Sequence, residues 1–272
     1  MSVSSLLKLF WLPELASEHG ELVDHMNGFV HWFMLVLFVG WSIFLGYVFY
    51  RFNKKRAPKA DYHGVRGHAT THIEIGVVIV EAVLLIGFAF PLWARQADEY
   101  PTGPDVVKLR AVGEQFLWTF HYAGSDGVLG GINPKLTTST NSIGREPSDP
   151  NGKDDFLSGG VMKLPVGRPV IVDVRSKDVI HNLAMVPMRA AQDATPGVKS
   201  HMWFKPVKMG TWDIICGQLC GSGHSQMKAT LEVLDTKEYD AWVKEQSEAA
   251  VKNSAPVATT PPPAPPAASP GK

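Results

Sequence analysis

Both cysteines of this 272-residue chain lie in one short stretch, Cys216-Gly217-Gln218-Leu219-Cys220-Gly221-Ser222-Gly223-His224-Ser225-Gln226-Met227. Two thiols, an imidazole and a thioether therefore fall within twelve positions, in the pattern C-x-x-x-C-x-x-x-H-x-x-M. Soft sulfur ligands favour copper, and imidazole suits it as well. Glycines at 217, 221 and 223 suit a tight loop whose backbone comes close to a metal. Three other chemistries use the same residue types. Two cysteines in an extracytoplasmic domain could form one disulfide. Structural zinc usually takes four Cys/His ligands and rarely methionine. A single blue-copper site uses one cysteine, two histidines and a weak axial methionine, which leaves the second cysteine surplus.

A second block stands upstream: Asp178-Val179-Ile180-His181, then Pro187, Asp193 and Pro196-Gly197. Together the two blocks resemble the binuclear copper (CuA) segments of cytochrome c oxidase subunit II. That family's loop reads C-x-E-L-C-G-x-x-H-x-x-M, and its first histidine ligand sits in a D-V-[IL]-H segment. The sequence departs from the loop at Gln218, where the family usually has glutamate. The resemblance runs from about Asn27 to about Trp242. It implies that Cys216 and Cys220 bridge two coppers, that His181 and His224 bind one each, and that Met227 and the Gln218 carbonyl are weak ligands. Every residue has a carbonyl, so that last ligand survives the substitution. The family's glutamate side chain also binds magnesium at a subunit interface. Gln218 is neutral and a poorer magnesium ligand, so that site is not expected.

The elements that must position these residues follow from the rest of the chain. Composition is ordinary globular, with 45% hydrophobic residues and a formal net charge of zero, so nothing favours nucleic acid as a partner. Residues 1–27 are shorter than a domain. An apolar patch at 4–12, interrupted by Lys8, precedes Glu14, Glu18, Glu21 and Asp24. No clear small-residue cleavage site follows it, so it reads as an extracytoplasmic interfacial segment. Residues 28–50 contain no Asp, Glu, Lys or Arg and are long enough to cross a bilayer. Residues 51–72 carry Arg51, Lys54, Lys55, Arg56, Lys59 and Arg66 against Asp61, a cytoplasmic loop by the positive-inside rule. His63, His68 and His72 read as residues of that solvated loop. Residues 75–94 form a second span. The hairpin, 28–94 with its loop, leaves both chain ends outside.

Glu81 lies within the second span, where an ionisable group calls for a functional or paired role. Glu74, at its cytoplasmic end, matches the glutamate of a family pattern E-x-x-W-T-x-x-P, although Val77 and Glu81 replace the tryptophan and the proline. Pro91 matches a later family proline. In the family that glutamate stands near the mouth of a proton path into subunit I, which makes Glu74 a proton-path candidate.

Residues 95–250 read as a β-rich domain. Alternating and aromatic residues from 106 to 122 predict two strands around Gly113. Phe116 stands where the family usually has the exposed tryptophan that meets cytochrome c, and Trp118 matches the second family tryptophan. Both are expected at the electron entry. His121 reads as a surface or strand residue and not a ligand. Residues 124–155 are a long loop or insertion, 161–174 resume as strand, and 239–250 show a short helical pattern. Residues 251–272, rich in Pro and Ala, read as a disordered tail.

The predicted architecture is a two-helix transmembrane hairpin plus an all-β, cupredoxin-like Greek-key sandwich. By the resemblance, the chain is subunit II of a haem-copper terminal oxidase in a bacterial inner (plasma) membrane, with its copper domain periplasmic. It takes electrons from a cytochrome c-type donor, soluble or membrane-bound, and passes them to haem in subunit I. Haem, a further copper, oxygen reduction and proton pumping belong to subunit I. A quinol oxidase subunit II shares the architecture but lacks the copper ligands. The alternative from a different class is a membrane-tethered copper-binding or copper-delivery protein without an oxidase partner.

Overall fold

The computed structural model describes residues 12–60, 62–63, 67–97 and 100–254. Most of the amino-terminal apolar patch, Asp61 and Arg66 of the cationic loop, and the tail beyond 254 lie outside the described residues.

Helix α1 (Gly20–Arg51) begins eight residues before the charge-free run, so Glu21 and Asp24 fall in its first turns and Arg51 in its last. Both signs agree with the helix dipole. Helix α2 (Ala69–Leu84) continues through one π-helical turn (Leu85–Ala89) into α3 (Phe90–Ala97). Gly20–Arg51 and Ala69–Ala94 are each long and apolar enough to cross a membrane. Neither apolar window is buried by the rest of the chain, which leaves its surface for lipid or another protein. Phe29 stacks on Phe88 at 5.7 Å, where the two helices meet.

The remaining chain is a sandwich of two five-stranded sheets. One has the order β3-β2-β1-β5-β8 and the other β4-β10-β9-β6-β7. Its strands are β1 (Val107–Glu114), β2 (Leu117–Tyr122), β3 (Phe156–Gly159), β4 (Val161–Pro165), β5 (Val170–Ser176), β6 (His181–Met185), β7 (Ala190–Ala194), β8 (Ser200–Phe204), β9 (Gly210–Cys216) and β10 (Lys228–Leu234). The β1/β5 and β10/β4 pairs are parallel, and the other pairs are antiparallel. Period-two alternation sends Trp118, Phe120 and Tyr122 of β2 and Val170, Val172 and Val174 of β5 inward. Ala229, Leu231 and Val233 of β10 meet them from the other sheet, with Met162, Leu164, Leu183, Phe204 and Ile214 filling between. Helix α4 (Thr236–Ser254) closes one edge. Its Trp242 stands edge-on to both Tyr122 and Phe156, which stack on each other at 4.9 Å. The helix extends through residues 251–254, which the sequence placed in the tail.

Two sequence expectations shift. The break at Gly113 does not occur; Gly113 stays in β1 opposite Trp118, and the turn falls at Gln115–Phe116. A Cβ at residue 113 would stand 3.0 Å from both the His181 and Trp118 rings, so this glycine serves a close approach and not a turn. Residues 161–174 form two strands, because Gly167 adopts a left-handed conformation (φ 79°) and the chain crosses from one sheet to the other.

The insertion at 123–155 has two short 3-10 turns and lies over the outer face of β1 and β2. Strand register sets His121, Arg110, Asp173 and His201 in a row across β2, β1, β5 and β8. The insertion covers the His121 end of that row. His121 is fully buried, so it is a strand residue but not a surface one.

Candidate metal centre

The second sheet delivers most of the residues singled out by their chemistry. Cys216 ends β9, Met227 immediately precedes β10, and β9 and β10 pair antiparallel. The stretch 217–227 is therefore the connection of a hairpin, and both of its ends are clamped. Strand β6 pairs with β9 in the register Leu183↔Cys216, which brings His181, at the start of β6, beside the loop. The Gly217 N–H donates to the Asn182 carbonyl at 3.0 Å. Within the loop, the N–H groups of His224, Gln226 and Met227 donate to the carbonyls of Gly221, Gly223 and His224.

The first sheet closes the site from the other side. The Gln115 side-chain amide donates to the Cys220 carbonyl at 2.6 Å. Phe116 lies against Gly221 and Gly223, where an added Cβ would stand 3.1 and 2.5 Å from its ring. Gly221 also has φ 143°, so it needs glycine on both counts.

The donor atoms converge as two halves. The sulfurs of Cys216 and Cys220 are 3.9 Å apart, and both cysteines are free. His181 Nδ1 is 3.9 Å from the Cys216 sulfur, and the Gln218 carbonyl oxygen is 3.2 Å from it. His224 Nδ1 is 3.6 Å from the Cys220 sulfur, and the Met227 sulfur is 3.7 Å from it. Each thiol thus has one imidazole and one weaker donor of its own. His181, Cys216 and Cys220 together form a group able to hold a metal ion. Those three and Met227 are buried, while His224 is half-buried and the Gln218 side chain is exposed. Six donors in two matched halves exceed the four ligands of structural zinc, and the sulfur-rich set fits soft ions such as copper.

Asp178 supports His181 in a way that was not read from the sequence. Its Oδ1 stands 2.9 Å from His181 Nε2, and its Oδ2 accepts from the Gln115 N–H at 2.8 Å. Burial pushes this carboxyl upward, but bonds from His181 and from the Gln115 and Val179 N–H groups outweigh it and hold the carboxyl below its usual range. A carboxylate here fixes the Nε2–H tautomer and leaves Nδ1 turned to the sulfur. Burial pushes the Cys220 thiol up, and neighbouring Cys216 adds to the effect. A metal must displace these protons, so loading weakens as pH falls.

The expected entry residues separate. Phe116 is half-buried over the loop, whereas Trp118 is fully buried with its ring 5.9 Å from that of His181. Exposed Leu117, Ile180 and Leu219 share the region. Glu74 and Glu81 lie seven residues apart along α2, both exposed in the isolated chain. Seven residues is two helical turns, so they share a face. His68 and His72 are exposed at the start of α2 and do not belong to the group able to hold a metal ion among the described residues.

The family model "Cytochrome C oxidase subunit II, periplasmic domain" matches residues 107–234, which span β1 to β10 and all six donors. An alternative cytochrome c oxidase subunit 2 of Bradyrhizobium diazoefficiens is 31% identical over 244 residues, covering 89% of this chain and 86% of that protein. A cytochrome c oxidase subunit 2 of Cereibacter sphaeroides is 28% identical over 237 residues, covering 79% and 75%. Among solved structures, the periplasmic domain of subunit II of a Bradyrhizobium japonicum cytochrome oxidase aligns at 25% identity with a TM-score of 0.40, over 56% of this chain and 99% of that one. On the strength of the family model and the Bradyrhizobium diazoefficiens relative, the chain belongs to the cytochrome c oxidase subunit II family.

Proposed function

We propose that this chain is the electron-entry subunit of a haem-copper terminal oxidase, and that Cys216, Cys220, His181, His224, Met227 and the Gln218 carbonyl hold a binuclear copper centre. The observation that carries this reading is the paired arrangement of two free thiols, each with its own imidazole and weaker donor. When bound there, copper would supply a one-electron carrier, and the two thiols, two imidazoles and two weaker donors are the residues that would hold it.

The chain's own residues serve that role in distinct ways. Cys216 and Cys220 would hold the metal through their thiolates, and Asp178 keeps His181 Nδ1 aimed at the Cys216 sulfur. The β9–β10 hairpin and the Gln115 amide pre-form the loop, so ligands move little on loading. Met227 and the core behind it exclude water. Phe116, with Leu117, Ile180 and Leu219, offers an apolar face for a cytochrome c-type donor, while Trp118 packs behind the centre.

The two apolar helices anchor the chain in a bacterial inner membrane and face other oxidase subunits. The sandwich then lies on the periplasmic side, and haem, a further copper and oxygen reduction belong to subunit I. Glu74 is the proton-path candidate at the cytoplasmic end of α2. Gln218 offers no carboxylate for an interface magnesium. Purifying the chain with its partners from membranes tests the reading: haem should accompany it. Copper without haem would favour a tethered copper-delivery protein.

A further inference from the structure

Arg189 is the one non-glycine residue with positive φ among the described residues (φ 51°, ψ 34°). An L-residue is strained there and a glycine would not be, so something must hold the arginine in place. Its guanidinium shows what does. Nε and Nη2 donate to the two carboxylate oxygens of Asp24 in α1, at 2.7 and 3.0 Å. Nη2 also donates to the Pro13 carbonyl at 2.8 Å, and Nη1 to the Val186 carbonyl at 2.7 Å. The paired side chains are only 10% and 15% exposed. A planar, two-pronged bond of this kind fixes orientation as well as distance, which a lysine could not do.

The chain preceding α1 is drawn into the same joint. Ala16 is fully buried, and its N–H donates to the Pro187 carbonyl at 2.8 Å. The Ser17 hydroxyl donates to the Met188 carbonyl at 2.6 Å. The Glu18 N–H donates to Lys205, and the Val207 N–H donates to Ala16. Lys208 pairs with Glu14, and Lys205 with Glu18. Gly20 permits the packing, since a Cβ there would meet Leu15, Ser17 and Arg189 within 2.9 Å.

Arg189 stands just past the far end of β6 from His181. That strand is a strut of about 17 Å, with the first metal-facing imidazole at one end and the joint to α1 at the other. We propose that Arg189 and Asp24 form a latch that locks the first apolar helix to the metal-bearing sheet and so sets the position of the metal loop relative to the partners of the membrane helices. The second half of this proposal rests on the functional reading above; the first half does not.

The test uses the full chain and the complex purified with it. Arg189→Gly removes the guanidinium and relaxes the left-handed turn, so the sandwich stays folded; Asp24→Asn removes the charge at constant size. Amide hydrogen exchange at Ala16, Glu18 and Val207 should speed up by about tenfold or more in either variant, as expected for local opening, while amides of β5 and β10 keep their protection. In the complex, electron entry from a soluble donor and copper content should be unchanged, while onward transfer to haem slows by about tenfold or more, since a misplacement of about 1 Å between reacting groups can cost about a hundredfold. The double variant should be no slower than the slower single one. Unchanged exchange at Ala16 and Glu18 overturns the latch. Faster exchange with unchanged onward transfer overturns its positioning role. A complex lacking haem would defeat the functional reading and leave the exchange result to decide the latch.

Discussion

Two buried histidines stand on facing sheets, each against an aspartate, and they do opposite things. His181 Nε2 meets Asp178, and its Nδ1 faces the Cys216 sulfur. His121 Nε2 meets Asp155 at 2.6 Å, and its Nδ1 accepts from Arg110 Nη1 at 3.0 Å. Arg110 is further engaged by Asp173 and the Gly130 carbonyl. Both imidazoles are fully buried. Burial and a carboxylate partner therefore do not mark a metal ligand. What sets His181 apart as a candidate ligand is a second nitrogen left over and turned toward soft donors. In His121 that nitrogen is already bonded, and the ring instead ties the 123–155 insertion to the sheet.

The largest expected effect separates the two rings outright. His181→Ala should cost the centre at least one of its metals while leaving the sandwich folded, as read by metal content and circular dichroism. His121→Ala should leave metal content intact and cost about 3 kcal/mol of stability, because it opens a buried cavity and leaves the Asp155 carboxyl, itself 0% exposed, with the Gly130 N–H as its remaining partner. For a domain of this size that is roughly 10 °C in melting temperature. Equal metal loss in both variants would erase the contrast.

The two aspartates should part in the same way. Asp178→Asn keeps the shape but loses the charge that orients His181, and should weaken copper binding about 10- to 100-fold with little change in melting temperature. Asp155→Asn should do the reverse. Copper titration of the two purified variants, side by side, checks the pair.

How much of this contrast was legible beforehand follows from where the partners sit. The convergence of the candidate donors was legible because five of them lie within twelve residues and their types are rare, and because His181 sits in its own short block. The sandwich was legible from alternation in β2, β5 and β10. The role of Asp178 was not, although it stands three residues before His181; its other partner, the Gln115 N–H, arrives from the β1–β2 turn, 63 residues away. The network of His121 was hidden further. Arg110 and Asp173 reach it only through strand register, and Asp155 only through an insertion without periodicity. Arg189 and Asp24 are 165 residues apart, and nothing local to either one announces the other.

A smaller effect is a pH dependence that belongs to His121. Burial is the main influence and holds its pKa below the ordinary 6.5, with Asp155 opposing and Arg110 and Arg145 reinforcing. Between that lowered value and 6.5, the unfolded chain binds a proton that the folded chain refuses. Stability should therefore fall as pH drops below about 6.5, by at most about 1.4 kcal/mol per unit. His121→Gln should flatten that slope in denaturant titrations from pH 7 to 5. An unchanged slope would mean that other groups carry it.

The smallest effects lie at the rim of the centre. Gln218→Ala should leave copper loading within about twofold, because its nearby donor is the backbone carbonyl. Phe116→Ala should slow electron entry a few-fold with the copper spectrum unchanged, and entry should depend only weakly on ionic strength if apolar contact dominates docking. A steep fall with salt would instead assign docking to charge pairs.

The paired arrangement of the two thiols is tested most directly by counting metal in the purified, folded chain after loading with copper. Two coppers per chain are expected, falling to none when Cys216 and Cys220 are both replaced by serine and remaining two in His121→Gln. One copper per chain, or preferential retention of a single zinc, would contradict a binuclear centre built from these donors.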